Sequence, residues 1–188
     1  MCKAYGTTVN DVVMAMCATA LRSYLMNQDA LPEKPLIAMV PVSLRKDDSS
    51  GGNQVGVILA SLHTDVTSPV TRLMQIHEDV KAAKDRYADM SAEEIINYTA
   101  LTLAPAAFNL LTGMAPKWQT FNVVISNVPG PRETCYWNGA TMDGMYPVSI
   151  AMDRLALNMT LTSYGDQVEF GLIGCRDTLP SLQRMLDY

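Results

Sequence analysis

The chain has 188 residues, of which 48% are hydrophobic and 18% charged, and its formal net charge is −5. That composition is typical of a globular protein and not of a disordered one, and the length is sufficient for one ample hydrophobic core or two small ones. Acidic and basic residues are well mixed, so the sequence does not indicate a nucleic-acid-binding surface.

Four cysteines lie far apart in the sequence and form no CxxC pair: Cys2, Cys17, Cys135 and Cys175. This spacing fits a reducing compartment and gives no reason to expect a metal site. Cys17 falls in an apolar helical run, where a buried free thiol is the simplest interpretation. The opening residues MCKAYGTTVND lead directly into a helical pattern and show no secretory signal, so we expect a cytoplasmic protein.

Apolar residues at three- and four-residue steps predict a first helix over residues 9–28. Thr8 precedes it as a good N-cap, and Asp11 stands three places later in the capping-box position. A strand is predicted at 36–44 and, after a polar loop, a second strand at 55–62. The second strand is apolar nearly throughout, which favours burial on both of its faces.

Ser68 and Pro69 predict the start of another helix, because proline at the first helical position commonly follows a capping serine. The apolar residues of this helix recur at helical spacing and should form its inward face. They are Leu73, Ile76, Val80, Ala83 and Tyr87.

Residues 95–114 carry no charge and follow a second capping box formed by Ser91 and Glu94. Pro105 lies in the middle of this region and should break or kink a helix there. Because polar residues are scattered through the region, we interpret it as a buried or lipid-facing helix pair and not as a membrane span.

The run FNVVISN at 121–127 predicts a third strand, and alternating residues between 155 and 162 predict a half-buried fourth one. The sequence YGDQ at 164–167 then predicts a turn into a hairpin partner, and a short helix should start near Leu179. Helices and strands are interleaved while the last strands pair as a hairpin. We therefore predict one α/β domain in which a mixed sheet has helices packed on its faces.

The two histidines give little sign of a complete catalytic set. His77 is interpreted as a helix-surface residue. His63 follows a strand, where a structural role is favoured, although it could pair with Asp65. The sequence contains no GxSxG elbow, phosphate-binding loop or zinc-ligand cluster. On these grounds the chain looks chemically incomplete.

Three polar features are candidates for a functional role. Asn10 and Asp11 stand at the start of the first helix, where Asp11 can be explained by capping alone but Asn10 cannot. Arg45 follows the first strand directly, as many surface arginines do. The third feature, at 126–131, ends the third strand.

The third feature consists of Ser126 and Asn127 followed by Pro129, Gly130 and Pro131. The two prolines fix two φ angles, and the glycine between them is free to take a positive φ. Such a stretch would hold the two small polar side chains in one place, or it would serve only as a turn.

Taken together, these features resemble one known family. TVNDVVMA at 8–15, RSYL at 22–25, PVSLR at 41–45, ISNVPGP at 125–131 and YPVSI at 146–150 occur in the order and spacing of the C-terminal half of bacterial wax ester synthase/diacylglycerol acyltransferases. The resemblance runs along essentially the whole chain. It implies one lobe of a chloramphenicol-acetyltransferase-like fold, in which two α/β lobes enclose an active-site channel.

The resemblance also implies a reaction. Enzymes of this family move a fatty acyl group from acyl-CoA to a long-chain alcohol, giving a wax ester, or to diacylglycerol, giving triacylglycerol. Acyl-CoA is a substrate, and no cofactor is expected. The general base is the second histidine of an HHxxxDG motif on the first lobe, and this sequence lacks that motif. We therefore expect residues 1–188 to be the C-terminal lobe, to need an N-terminal HHxxxDG lobe as partner, and to be inactive alone.

By the same resemblance, Asn10 and Asp11 are the family's ND motif, with Asn10 as a donor to the developing oxyanion and Asp11 as support for the helix start. Arg45 is expected to pair with the aspartate of the HHxxxDG motif across the cleft. Ser126 and Asn127 would line the channel, with the backbone from 128 to 131 presenting them.

Two other functions stay open. The chain could be a non-catalytic lipid-binding lobe, or a condensation-type lobe that acts on carrier-bound substrates. If the chain is part of an acyltransferase of this family, peripheral contact with a membrane or lipid droplet is expected, since the products of the family are insoluble. No nucleic-acid partner is expected.

Overall fold

The computed structural model describes residues 1–43, 55–112, 119–153 and 155–188. The α-helices are α1 (Cys2–Tyr5), α2 (Val9–Asn27), α3 (Pro69–Ala88) and α4 (Ala92–Thr112), and a 3₁₀ helix covers Leu182–Asp187. The strands are β1 (Ile37–Ser43), β2 (Val55–Ser61), β3 (Val123–Val128), β4 (Tyr136–Trp137), β5 (Ala140–Thr141), β6 (Leu157–Tyr164) and β7 (Gln167–Gly174).

Within these ranges, five strands form one mixed sheet in the order β2-β1-β3-β6-β7. β1, β3 and β6 are parallel neighbours, whereas β2 pairs antiparallel with β1 and β7 antiparallel with β6. The β6–β7 turn brings Tyr164 opposite Gln167, with Gly165 at φ 58°. The predicted mixed sheet and its closing hairpin are thus confirmed, and β4 and β5 form a separate small hairpin.

The first face of the sheet is covered by α2 and α3, which pack together over β1, β2, β3 and β6. Every second residue of the central strands enters this core, including Ala38 and Val40 of β1 and Leu157, Met159 and Leu161 of β6. The predicted inward face of α3 is confirmed, since those side chains are buried or pack against the buried cluster. Cys17 is also buried there, and burial raises the pKa of its thiol to about 12.

The second face of the sheet is covered by a helix over β1 and by an irregular segment over β6 and β7. Met39 of β1 points away from the core and lies near Leu103 and Ala107 of α4. Over β6 and β7 runs the crossing segment, residues 142–153, which contains neither helix nor strand. Asn158 Nδ2 of β6 donates to the carbonyl oxygen of Ile150 in this segment at 3.2 Å.

The crossing segment explains why the prediction of a half-buried β6 is wrong. Asn158 and Thr162 are polar residues of the alternating pattern that predicted a half-buried strand, but they are only 7% and 4% exposed. The segment lies so close to β7 that a Cβ added at Gly171 would stand 1.9 Å from the carbonyl oxygen of Pro147. β6 is therefore buried on both faces, as parallel strands in the middle of a sheet commonly are.

α4 also differs from its prediction. The helix runs unbroken past Pro105, so the expected helix pair is a single helix. Of the two alternatives for this region, buried or lipid-facing, the exposed outward side chains exclude the first: Leu101 is 75% exposed and Leu111 is 86% exposed. None of the helices described is both long and apolar enough to span a membrane.

In the middle of β2, which lies at one edge of the sheet, side chains pair the outward polar groups of Val57. The backbone N–H of Val57 donates to Thr99 Oγ1 of α4 at 3.4 Å, and its carbonyl oxygen accepts a hydrogen bond from the Tyr87 hydroxyl of α3. Both polar groups of Val57 are thus satisfied, which matters because unpaired edge strands invite pairing with other chains.

We expect Ile76→Ala to lower the free energy of unfolding by about 2–5 kcal/mol, because Ile76 is completely buried between the helices and the sheet. Ile96→Ala is the matched control, since Ile96 is 57% exposed and should change stability by about 0.5 kcal/mol or less. Urea unfolding followed by circular dichroism measures both. Equal losses in the two variants would contradict the assignment of the core.

Candidate functional site

The start of α2 is built as a reciprocal capping box. Thr8 is the N-cap, and its hydroxyl accepts a hydrogen bond from the Asp11 N–H at 3.3 Å. Asp11 Oδ2 in turn accepts from the Thr8 N–H at 2.8 Å. Two backbone donors that a helix start leaves unpaired are thereby satisfied, which confirms the cap predicted from the sequence.

The carboxylate of Asp11 has a further partner on α3. His77 Nδ1 lies 2.7 Å from the same Oδ2 atom, and the Asp11 side chain is only 2% exposed. Burial by itself would raise the pKa of Asp11, but the hydrogen bonds from Thr8 and His77 outweigh it. The pKa of this carboxyl therefore lies below its ordinary value of 3.8.

The interpretation of His77 as a surface residue is wrong, and the pairing with Asp65 that was open to His63 is not formed. His77 is not a plain surface residue, since its side chain is 23% exposed and its ring binds Asp11. The sequence carried a signal for this, because His77 stands four residues after the buried Leu73 and therefore borders the inward stripe. His63 pairs with Asp79 of α3 at 2.8 Å, and not with Asp65.

Asn10 is half-buried beside this cluster. Its side-chain amide makes a weak contact with Met14 Sδ at 3.7 Å, one helical turn further along α2. Since sulfur is a poor acceptor, this contact constrains the amide little and leaves it available to a stronger partner.

The end of β3 is held against the β6–β7 turn. The Gly130 N–H donates to Ser163 Oγ at 3.0 Å, and the Gly165 N–H donates to the carbonyl oxygen of Pro131 at 3.0 Å. A Cβ added at Gly130 would stand 1.9 Å from the carbonyl oxygen of Ser163. The glycine is thus required by a close backbone approach. Gly130 does not adopt the positive φ that the sequence left open to it.

Ser126 and Asn127 point to opposite faces of the sheet. Ser126 is paired with Thr160 and shares the second face, whereas Asn127 is paired with Leu161 and shares the face of α2 and α3. Ser126 is half-buried and Asn127 is exposed. The two side chains therefore reach different surroundings, although they are adjacent in the sequence.

The start of α2 and the end of β3 both lie toward the C-terminal ends of the parallel strands. Arg22, near the end of α2, donates to the carbonyl oxygen of Thr64, next to the point where β1 begins. α2 has 19 residues and spans about 28 Å, so its start lies toward the other end of the strands, where the parallel strands finish. Asn10 and Asn127 thus lie toward the same end of the sheet, the C-terminal end of its parallel strands, but no hydrogen bond joins them in the part of the chain described.

Arg45 falls in the gap between residues 43 and 55, outside the described residues. Ser43, the last described residue of β1, ends the strand that leads to it.

Two apolar pockets lie on opposite faces of the sheet. The first, about 330 Å³, lies between α2, β7 and the 3₁₀ helix and includes Met16, Phe170 and Met185. The second, about 310 Å³, lies between α4 and β1 and includes Met39 and Phe121. Both volumes stand at the lower end of the range for small-molecule sites.

In the described ranges, no three histidine, cysteine or acidic side chains come close enough together to hold a metal ion. The four cysteines are free thiols.

We expect Gly130→Ala to destabilise the protein by about 1–3 kcal/mol or more, since the added methyl group must push apart two backbone segments. Gly165→Asn is the control in the same turn: nothing lies within 4 Å of a Cβ there, and asparagine tolerates a positive φ. Thermal unfolding compares the two. An unchanged unfolding temperature in Gly130→Ala would contradict the close approach of the two backbone segments.

Asp11 should contribute stability that depends on pH. Because its pKa is lowered by folding, its contribution is complete at neutral pH and is lost as the pH falls below about 4. Asp11→Asn should cost about 1–3 kcal/mol at pH 7 and should flatten the loss of stability in acid. Urea unfolding at pH 7 and pH 3 tests this, with the exposed Asp85→Asn as control. Parallel pH profiles for the wild type and Asp11→Asn would refute the assignment.

Comparison with known proteins connects this arrangement to one family. Residues 51–188 match the family described as the WS/DGAT C-terminal domain. The chain is 52% identical, over 99% of its length, to an O-acyltransferase WSD from Acinetobacter baylyi, of which it covers 41%. It thus spans about two fifths of the length of the curated relatives it matches.

Solved structures agree with the sequence relatives. The wax ester synthase/diacylglycerol acyltransferase from Marinobacter aquaeolei VT8 matches the whole chain with a TM-score of 0.89 and 74% identity, over 42% of that protein. The first condensation domain of the CDA synthetase matches 99% of the chain, and 38% of that protein, with a TM-score of 0.52. Its identity of 10% shows a shared chloramphenicol-acetyltransferase-like fold alone. The chain belongs to the WS/DGAT C-terminal domain family.

Proposed function

We propose that this chain is the C-terminal lobe of a cytoplasmic O-acyltransferase that moves a fatty acyl group from acyl-CoA to a long-chain alcohol or to diacylglycerol. The observation that carries the proposal is similarity along the whole chain, at 52% and 74% identity, to proteins named as O-acyltransferase and as wax ester synthase/diacylglycerol acyltransferase. The products would be wax esters and triacylglycerols.

The general base comes from an N-terminal lobe. The sequence has two histidines and no HHxxxDG motif, and each histidine here is bound to a carboxylate, His63 to Asp79 and His77 to Asp11. General-base assistance typically contributes about 10²–10⁴ in rate. The two lobes must therefore assemble before an acceptor hydroxyl can be activated.

An exposed apolar surface supports such an assembly. In the β4–β5 hairpin, Trp137 is 84% exposed, and in the crossing segment Tyr146, Val148 and Ile150 are 72%, 83% and 74% exposed. Aromatic side chains are enriched in protein interfaces, and large apolar surfaces on a protein commonly mark partner sites. We assign the N-terminal lobe to this surface.

Asn10 donates to the thioester oxygen as it gains negative charge. It stands on the first turn of α2, where the helix dipole also favours negative charge, and its amide has a weak partner in Met14. A single oxyanion donor is typically worth about 3–4 kcal/mol of transition-state stabilisation. Asp11 keeps this turn in place through the capping box.

The other candidate residues shape the channel. Arg45 pairs with the aspartate of the HHxxxDG motif and holds the catalytic loop. Asn127 faces the same side of the sheet as α2 and contacts substrate at the strand end, and Ser126 contacts the opposite wall. The segment from Pro129 to Pro131 keeps both in position through its bonds to the β6–β7 turn.

Peripheral contact with a lipid surface accompanies this function. From Ile95 to Thr112, α4 carries no charged residue, and Leu101, Phe108 and Leu111 are well exposed along it. An apolar helix face of this kind can lie on a membrane or lipid droplet, where the neutral acceptors and products collect.

A non-catalytic lipid-binding lobe is the second candidate, and the two apolar pockets of about 330 and 310 Å³ favour it. This candidate differs from the acyltransferase in what it predicts, since a lipid-binding lobe would bind a fatty acid without a second lobe. A condensation-type function has weaker support, because its structural neighbours share 10–12% identity.

The test is acyl transfer from long-chain acyl-CoA to hexadecanol and to diacylglycerol, with this chain alone and with an HHxxxDG lobe added. We expect activity in the mixture only, and Asn10→Ala should reduce kcat by about 10²–10³-fold. Gln183→Ala, an exposed change on the 3₁₀ helix, serves as control.

Activity of the chain alone would contradict a base supplied by the other lobe. A folded, assembled mixture that transfers nothing while the chain alone binds fatty acid would favour the lipid-binding function.

A further inference from the structure

α2 and α3 meet at one carboxylate oxygen. Asp11 Oδ2 accepts a hydrogen bond from the Thr8 N–H at 2.8 Å and lies 2.7 Å from Nδ1 of His77, which is 66 residues away in the sequence. Because an ionised carboxylate can only accept hydrogen bonds, Nδ1 of His77 carries the proton. The imidazole therefore donates to Asp11 and ties the start of α2 to the middle of α3.

The neighbouring Asn10 depends on this bond for its position. Its side chain has a weak 3.7 Å contact with Met14 Sδ, so the side chain itself does little to fix where the amide stands. The backbone of the first turn sets the position instead, and that backbone is held by the Thr8 and Asp11 capping box. His77 holds the carboxylate on which the box depends.

We propose that His77 is a positioning residue of the acyltransferase, which acts through Asp11 to fix the first turn of α2 and hence the amide of Asn10. The inference rests on the function proposed above for Asn10. His77 itself takes no part in proton transfer to substrate. A displacement of about 1 Å at a reacting centre can reduce a rate by about 10²-fold, so a bond of this kind affects catalysis as well as stability.

A second histidine–aspartate pair on α3 shows what distinguishes His77. His63 Nε2 lies 2.8 Å from Asp79 Oδ2, almost the same distance, but the Asp79 side chain is 46% exposed. That pair joins α3 to the residues after β2 and does not touch α2. It gives a matched control, in which a comparable bond is removed from the same helix.

The test uses the two-lobe enzyme and three substitutions. His77→Leu removes the donor. His77→Asn keeps it, because the amide nitrogen of asparagine occupies nearly the position of Nδ1. His63→Asn removes the control bond while tolerating the positive φ of His63. Hydrogen exchange of the Asp11 and Val12 amides is measured together with kcat and KM.

We expect His77→Leu to speed exchange at these amides by about 10-fold or more and to lower kcat by about 10- to 100-fold, with KM changed by less than about 2-fold. His77→Asn should restore most of both losses, and His63→Asn should change neither. In an Asn10→Ala background, His77→Leu should lower kcat little further, because both substitutions act on the same donor.

Unchanged amide exchange in His77→Leu would overturn the inference, and so would a loss of kcat that adds fully to that of Asn10→Ala. If the leucine variant does not fold, His77→Gln takes its place, because its amide nitrogen matches Nε2 and not Nδ1. A wild-type enzyme that transfers no acyl group would refute the proposed function, while the exchange rates would still decide whether His77 fixes the turn.

Discussion

The need to bury three parallel strands on both faces governs the architecture. β1, β3 and β6 are central neighbours in the sheet, and parallel strands are stable only when both of their faces are covered. α2 and α3 supply one cover with a conventional helical core. The other cover is less regular, since α4 lies over one end and the crossing segment over the other. Irregular cover leaves more polar backbone to satisfy and more apolar side chains exposed.

The regular face provides rigidity, and the candidate site lies at its border. Asp11 is buried, carries charge and receives hydrogen bonds from two directions, so α2 cannot tilt away from α3 without taking the His77 partner from a buried charged group. The bond between His77 and Asp11 thus supports the core and also fixes the start of α2 near the C-terminal ends of the parallel strands. Gly130 fixes the end of β3 by a different means, which is direct contact between backbones.

The sequence was sufficient to predict features that depend on local chemistry. The caps at Thr8 and Ser68, the inward face of α3 and the final hairpin all follow from residue spacing and are confirmed. Asn10 and Asp11 were also recognised as unusual from their position at a helix start. These features need only neighbouring residues to be explained.

Features that depend on distant contacts could not be predicted in this way. The burial of Asn158 and Thr162 requires the crossing segment, and the bond between His77 and Asp11 joins two separate helices. Gly130 was noted for the wrong reason, because a close approach to Ser163 cannot be read from the proline–glycine pattern. Likewise, Pro105 does not break α4, although its local effect on a helix is unfavourable.

The side-chain partners of Val57 in β2 have a consequence for how the sheet can be extended. Thr99 and Tyr87 occupy both outward polar groups of Val57, so another chain cannot add a strand there without displacing two side chains. A strand added on this side of the sheet would have to compete with those two side chains for the backbone of Val57, which disfavours association of two chains through the middle of β2.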